Sequence, residues 1–511
     1  MAEIVTSDRG RLQELAVVGG VAIRVGTPGM QFRWNTLDAV PAFDATVPGA
    51  EAGGWNEAIA ENDLEEIIAL QAEPVTMLGI KEGEAAPVLI VPNSEDIYVD
   101  LRAQPLPGES LLVMVESNGV IQWYAPANAQ IAINPPVLGF EETTTSSELQ
   151  FRIPRSTLSR GAGIQGIEGG IIGAIVRLFR VKLIKELIDA PVRFVLDWIV
   201  NTVEKKAKPR EGFRFFDRDA QYPFCTPEQI SAMAGQRVLL LTHGIFSSLE
   251  GAFAGIADPA SGVMQHLRGI YGNNIIGWDH WTVGKTPLEN AEEMLSALYP
   301  GVRPDIVCHS RGGLVTRAML EHPSLIGKRQ SRFASVGKAI FIAGACQGSQ
   351  LATLNNLNRL LNIYSAIASF PLLGGAGVPL TVIVGVLRVL AHGATRLPSI
   401  EALSADRGHN EFLLALNESH LTPTGKIVVM HANYDPAKGP LADFLDLNVD
   451  LVFGEANDMV VPFIGAETFD KWQQVGLNYS YGTPSERQSN VMHLNFFKQS
   501  GVHSKLQEEL T

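Results

Sequence analysis

Residues Pro304 to Glu321 read PDIVCHSRGGLVTRAMLE. Asp305 to Cys308 is a short apolar run of strand type. Leu314, Val315, Ala318 and Met319 recur at helical spacing. His309, Ser310 and Arg311 form the corner between them. A strand that becomes a helix within three residues holds its corner residue in a strained backbone, which needs small neighbours two positions away on either side. Those neighbours are Cys308 and Gly312. The hydroxyl of Ser310 then stands clear of the sheet at the positive end of a helix, where developing negative charge is favoured.

This corner resembles the nucleophile elbow of the α/β-hydrolase superfamily, usually written G-x-S-x-G, with Cys308 in place of the first glycine. Upstream, RVLLLTHGIFSS places a buried strand, Val238 to Thr242, before His243-Gly244. In the family a His-Gly at this point opens the oxyanion loop. The resemblance implies backbone donors at Ile245 and Arg311, with His243, Gly244, Phe246 and His309 against substrate. WDHWTVGKTPLENA (278–291) resembles the segment before the elbow in a bacterial lipase/esterase-like branch, with a structural, hydrogen-bonded role for His280 preferred over contact with substrate. VDLVFGEANDMVVPF brings Asp458 in an N-D-x-V-V-P loop, preferred over Asp435. VMHLNFF, 35 residues further on, brings His493, preferred over His503. Cys346 reads as a small buried residue. The order Ser310, Asp458, His493 is the α/β-hydrolase order, and the resemblance covers about residues 236–511.

The rest of the chain sets the context. Its 511 residues leave room for two or three domains. A net charge of −14 argues against a nucleic-acid partner. Three cysteines, Cys225, Cys308 and Cys346, show no metal spacing and suit a reducing compartment. No basic start precedes an apolar core at the N-terminus, so a cytoplasmic location is expected.

Residues 1–160 read as a β-rich accessory domain, from AVVGGVAIRV, APVLIV, DIYVDLRA, SLLVMVES and GVIQWYA separated by turn residues. Trp55 to Leu70 reads as a helix within it. Residues 161–211 read as an amphipathic helical connector, apolar at helical spacing with Arg177, Arg180, Lys182 and Lys185 interleaved. Its basic face is solvated or offers a peripheral membrane contact through 162–206, and KAKPREG reads as a linker. From Gly212 to the end, strand alternates with helix, which predicts a mostly parallel, doubly wound α/β sheet. Residues 351–400 are too apolar for a connecting loop and lie where lipases of this superfamily place a helical cap.

These readings converge on a serine carboxylic ester hydrolase, an esterase or lipase of lipid metabolism, acting on hydrophobic esters through an acyl-enzyme. Acyl transfer of this kind requires no metal or organic cofactor. The alternatives are a membrane-acting phospholipase effector, and a non-catalytic lipid- or protein-binding module on a hydrolase scaffold.

Overall fold

A computed structural model of the chain describes residues 3–6, 13–18, 21–26, 30–35, 52–74, 98–106, 109–117, 120–127, 148–154, 174–182, 192–216, 222–353, 356–368, 380–391, 397–406, 408–419, 426–435, 451–467 and 475–511. The chain forms two compact units. The first comprises Met1–Pro191 with Ile383–Thr395, the second Val192–Val382 with Arg396–Thr511.

The first unit is β-rich. One sheet has six strands in the order Glu3–Thr6, Met30–Asn35, Leu64–Pro74, Ala174–Lys182, Glu109–Ser117 and Val120–Tyr124. A second has four, in the order Gln13–Val18, Val21–Gly26, Tyr98–Gln104 and Leu149–Pro154. All their pairings are antiparallel. Alternation decides which side chains meet: Val113, Val115, Val176 and Leu178 of one sheet share a core with Leu101, Phe151 and Ile153 of the other. The run APVLIV (86–91) lies outside the described residues.

Two sequence expectations fail in this unit. Trp55 to Leu70 is not one helix. A helix over Ala52–Glu61 ends at Asp63, whose φ of 53° breaks it, and Leu64–Pro74 continues as a strand. The expected amphipathic helix of 161–211 is broken too. Ala174–Lys182 is a central strand between Leu64–Pro74 and Glu109–Ser117. Two of its cations are paired within the unit: Arg177 with Glu66 at 2.9 Å, and Arg180 with Glu109 at 3.0 Å. Residues 162–173 and Lys185 lie outside the described residues.

The second unit is built on one seven-stranded sheet. Its order is Gly212–Phe215, Ile275–Asp279, Arg237–Thr242, Arg303–His309, Lys338–Ile342, Lys426–Ala432 and Val475–Tyr481. The first pair is antiparallel and the rest are parallel. A strand of period two serves both faces of such a sheet. Val238 and Leu240 pack with Met294 and Leu295 of helix Pro287–Ala297 and with Val315 and Met319 of helix Gly312–Glu321. Leu239 and Leu241 pack on the opposite side with Phe253 of helix Leu249–Ala257 and Leu506 of helix Ser500–Glu509. The mixed, mostly parallel architecture agrees with the strand-helix alternation read from Gly212 onward.

Two boundaries move. The second unit begins at Val192, not Gly212. Helix Val192–Trp198 continues through a π-helical turn, Ile199–Glu204, into Lys205–Ala207. Its end is anchored in this unit because the buried Glu204 carboxylate accepts the amides of Thr282, Val283 and Gly284 at 2.6, 2.9 and 2.8 Å. The expected cap over 351–400 is also divided. Helix Leu357–Ala368 belongs to the second unit, whereas Ile383–Thr395 groups with the first, where Ser110 donates to the carbonyl of Ala391 at 2.6 Å. Residues 369–379 lie outside the described residues. Among the described residues no helix is long and apolar enough to cross a membrane.

Candidate active site

Ser310 ends strand Arg303–His309 and precedes helix Gly312–Glu321. Its φ is +55°, the left-handed region that non-glycine residues seldom occupy. Three backbone bonds hold it there. Its N–H donates to Ile342 O at 3.2 Å, and its carbonyl accepts from Gly313 N at 2.9 Å and Ala345 N at 3.2 Å. Gly312 is demanded by approach rather than by φ: a Cβ there would lie 2.3 Å from the Thr242 carbonyl oxygen. Cys308 fits the position usually held by glycine, with its thiol donating to Ile340 O at 3.5 Å. Burial raises the pKa of that thiol and lifts that of Cys346 to about 12, so neither supplies a thiolate.

His493 lies 183 residues from Ser310, yet its Nε2 is 2.8 Å from Ser310 Oγ. Its Nδ1 is 2.8 Å from Asp458 Oδ2. A proton on Nδ1 satisfies the carboxylate and leaves Nε2 to accept from the serine hydroxyl. Asp458 is oriented by its own loop. Oδ1 accepts from Val460 N at 3.0 Å and Val461 N at 2.8 Å, while Asn457 Oδ1 accepts from Met459 N at 2.9 Å. The loop turns at Met459, φ 92°. The amide of His493 donates to Asp458 O at 3.1 Å, tying the two segments together. Asp435 is elsewhere, paired at the surface with Arg487 at 3.5 Å. His503 donates to Phe497 O at 2.6 Å.

The loop after strand Arg237–Thr242 runs beside the serine. A Cβ on Gly244 would lie 2.6 Å from Ser310 Cβ and 3.0 Å from Oγ, so only glycine fits. The amide of Phe246 is used by Thr282 Oγ1 at 3.2 Å. Among the described residues the amides of Ile245 and Arg311 have no hydrogen-bond acceptor. The Arg311 side chain turns inward, donating to Asn290 Oδ1 at 3.0 Å and Lys285 O at 2.5 Å. Burial lowers its pKa to about 10, so it stays a cation.

His243 and His309 are held by hydrogen bonds inside the fold. His243 is buried and stacked on His280, ring centroids 4.0 Å apart. Its Nδ1 donates to Gly244 O at 2.9 Å, and its Nε2 accepts from Lys208 at 3.2 Å and His280 N at 3.3 Å. Both ring nitrogens are therefore spent inside the fold. His309 donates from Nε2 to the carbonyl of His493 at 2.8 Å and packs against Phe497. Burial keeps both rings neutral, lowering the His309 pKa to about 3 and that of His243 well below its usual value.

Lys208 and Glu204 are structural members of this site that sequence reading missed. The Lys208 ammonium also donates to Ser247 O at 3.0 Å and His280 O at 2.7 Å, which uses all three of its protons. Asp279 lies 3.7 Å from it and accepts from Arg214 at 2.7 Å and Leu249 N at 2.7 Å. Nothing local marks Lys208 within KAKPREG, because its partners are 35 to 72 positions away.

The second unit is thus an α/β protein with a serine hydroxyl hydrogen-bonded to a histidine-carboxylate pair beside two unspent amides. The chain belongs to the family described as Domain of unknown function (DUF7379), whose model matches residues 208–511. No curated protein matches the sequence. Solved structures similar to the chain include the phospholipase PlaB from Legionella pneumophila, 14% identical over 54% of this chain and 63% of that one, TM-score 0.32. The chain thus spans less than two thirds of that phospholipase. Lipase 1 from Pelosinus fermentans is 14% identical over 54% of this chain and 98% of that one, TM-score 0.36. The metagenomic carboxyl esterase MGS0156 is 18% identical over 54% of this chain and 74% of that one, TM-score 0.29.

Proposed function

We propose that the second unit is a serine carboxylic ester hydrolase of α/β-hydrolase type, of the lipase/esterase-like branch. The observation that carries the reading is the continuous chain from Ser310 Oγ to His493 Nε2 and from His493 Nδ1 to Asp458, 2.8 Å at each link. In this reading His493 takes the proton of Ser310 as Oγ attacks the ester carbonyl. The Ile245 and Arg311 amides receive the oxyanion, and Asp458 stabilises the imidazolium. His493 then passes its proton to the leaving alcohol. Water repeats the sequence on the acyl-enzyme and releases the acid, so no cofactor is required.

A hydrophobic ester fits the surroundings. Phe246 and Tyr364 pack edge to face near the serine, ring centroids 5.1 Å apart, and helix Leu357–Ala368 contributes buried Leu360, Leu361 and Ile363. Ser310 is only 2% exposed, so substrate entry requires displacement of covering side chains. A fluorophosphonate should label Ser310 covalently, and Ser310→Ala should abolish p-nitrophenyl ester turnover with the melting temperature retained. Undiminished turnover by that variant would remove the proposal. Failure of the wild type to label would favour the non-catalytic binding module.

A further inference from the structure

Tyr364 lies on helix Leu357–Ala368 and is 1% exposed. Its hydroxyl is sealed from solvent and has no hydrogen-bond partner among the described residues. Buried hydroxyls almost always find a partner, and one without a partner carries a desolvation cost that phenylalanine would avoid. The ring itself is well placed, edge-on to Phe246 at an interplanar angle of 78°. Phe246 directly follows Ile245, so the ring of Tyr364 packs on a side chain of the loop that carries the Ile245 amide. It reaches toward Ser310 and feels the charge of Asp458 without closing a well-formed bond to either.

We propose that Tyr364 is a further catalytic residue, its phenol O–H serving with the Ile245 and Arg311 amides as a third donor to the oxyanion. The inference rests on the ester-hydrolase reading above. At rest, Ser310 Oγ donates its proton to His493, and the phenol makes no well-formed bond to the lone pairs that remain. As Oγ attacks, the carbonyl oxygen gains negative charge and gives the phenol the acceptor it lacks. The tyrosine keeps its own proton throughout, so the proton balance of the His493 mechanism is unchanged. Burial and the nearby Asp458 carboxylate both raise the phenol's pKa, which keeps it a donor rather than a base. A donor that finds its acceptor only when the tetrahedral species forms stabilises that species selectively.

The test is Tyr364→Phe, which keeps the ring against Phe246 and removes one oxygen. Rates are expressed per fluorophosphonate-labelled site, so any misfolded fraction drops out. On p-nitrophenyl butyrate, kcat should fall on the order of 10²-fold with KM changed by less than about twofold. Affinity for an alkyl trifluoromethyl ketone, which forms an anionic adduct on the serine, should fall by a similar factor. If kcat and ketone affinity are unchanged while the wild type labels and turns over ester, this proposal fails and the ester-hydrolase reading stands. A drop in kcat with no loss of ketone affinity would assign Tyr364 a packing role and also overturn it. Absence of labelling and turnover in the wild type would bring down both.

Discussion

The Lys208 ammonium donates to Nε2 of His243 at 3.2 Å, which leaves Nδ1 to bind Gly244 O and sets the orientation of the loop beside Ser310. A cation from the start of the second unit therefore holds backbone that runs past the serine. Lys208→Met keeps the aliphatic stem but strands Ser247 O and His280 O. The expected cost is about 1–3 kcal/mol for each buried group left unsatisfied. Urea denaturation should report that loss, and ester kcat should fall with it as the Ile245 amide drifts. Unchanged stability would mean that water replaces the ammonium.

Gly244 and Gly312 should separate stability from chemistry. A Cβ at Gly244 meets the Ser310 side chain, whereas one at Gly312 meets Thr242 and His243 backbone oxygens at 2.3 and 2.8 Å. Gly244→Ala should fold and lose roughly 10²-fold or more in kcat, as expected when a reacting atom is displaced by about 1 Å. Gly312→Ala should unfold at lower denaturant, since strand and elbow backbone must part. Circular dichroism melts alongside ester assays distinguish the two outcomes.

Glu204 accepts three consecutive amides through its carboxylate. Glu204→Gln replaces one acceptor oxygen with an NH2 facing an amide proton. We expect a loss of about 1–3 kcal/mol, with hydrogen exchange at Thr282–Gly284 accelerated. Protection of those amides equal to wild type would contradict the assignment.

Stability should fall as the solution is acidified. Burial, first, and the neighbouring His493, second, lower the His309 pKa to about 3 from the usual 6.5. The unfolded chain binds a proton below about pH 6.5 that the folded chain refuses until about pH 3, so stability is full above that window and declines through it. The loss attributable to His309 alone is roughly 2 kcal/mol by pH 5. His243 and His280, whose pKa values burial also lowers well below the usual value, act in the same direction. Urea midpoints at pH 7.5 and pH 5 measure the effect, and His309→Gln should flatten the slope by about one bound proton.

Most of the site was legible because its parts are local signals. Ser310 is marked by the small residues around it, and Asp458 by a loop whose own amides Val460 and Val461 orient the carboxylate. His493 is marked by the aromatic pair that follows it, and Phe496 and Phe497 are both buried. The segment Ala174–Lys182 was misread because a nine-residue apolar run with spaced cations satisfies helix and strand alike. What made it a strand is backbone pairing with Leu64–Pro74 and Glu109–Ser117, both remote in sequence. The same limit hid Lys208 and Glu204, whose partners share no sequence neighbourhood with them.

By itself, then, the sequence determined the alternation of strand and helix after Gly212 and the candidate serine, acid and histidine in their order. Those properties depend on periodicity and on backbone geometry that a few adjacent residues impose. Tertiary structure decided which amides stay unspent, which histidines are consumed inside the fold, and where a lone phenol ends. Those depend on distances between residues remote along the chain, and only packing of the whole unit sets such distances.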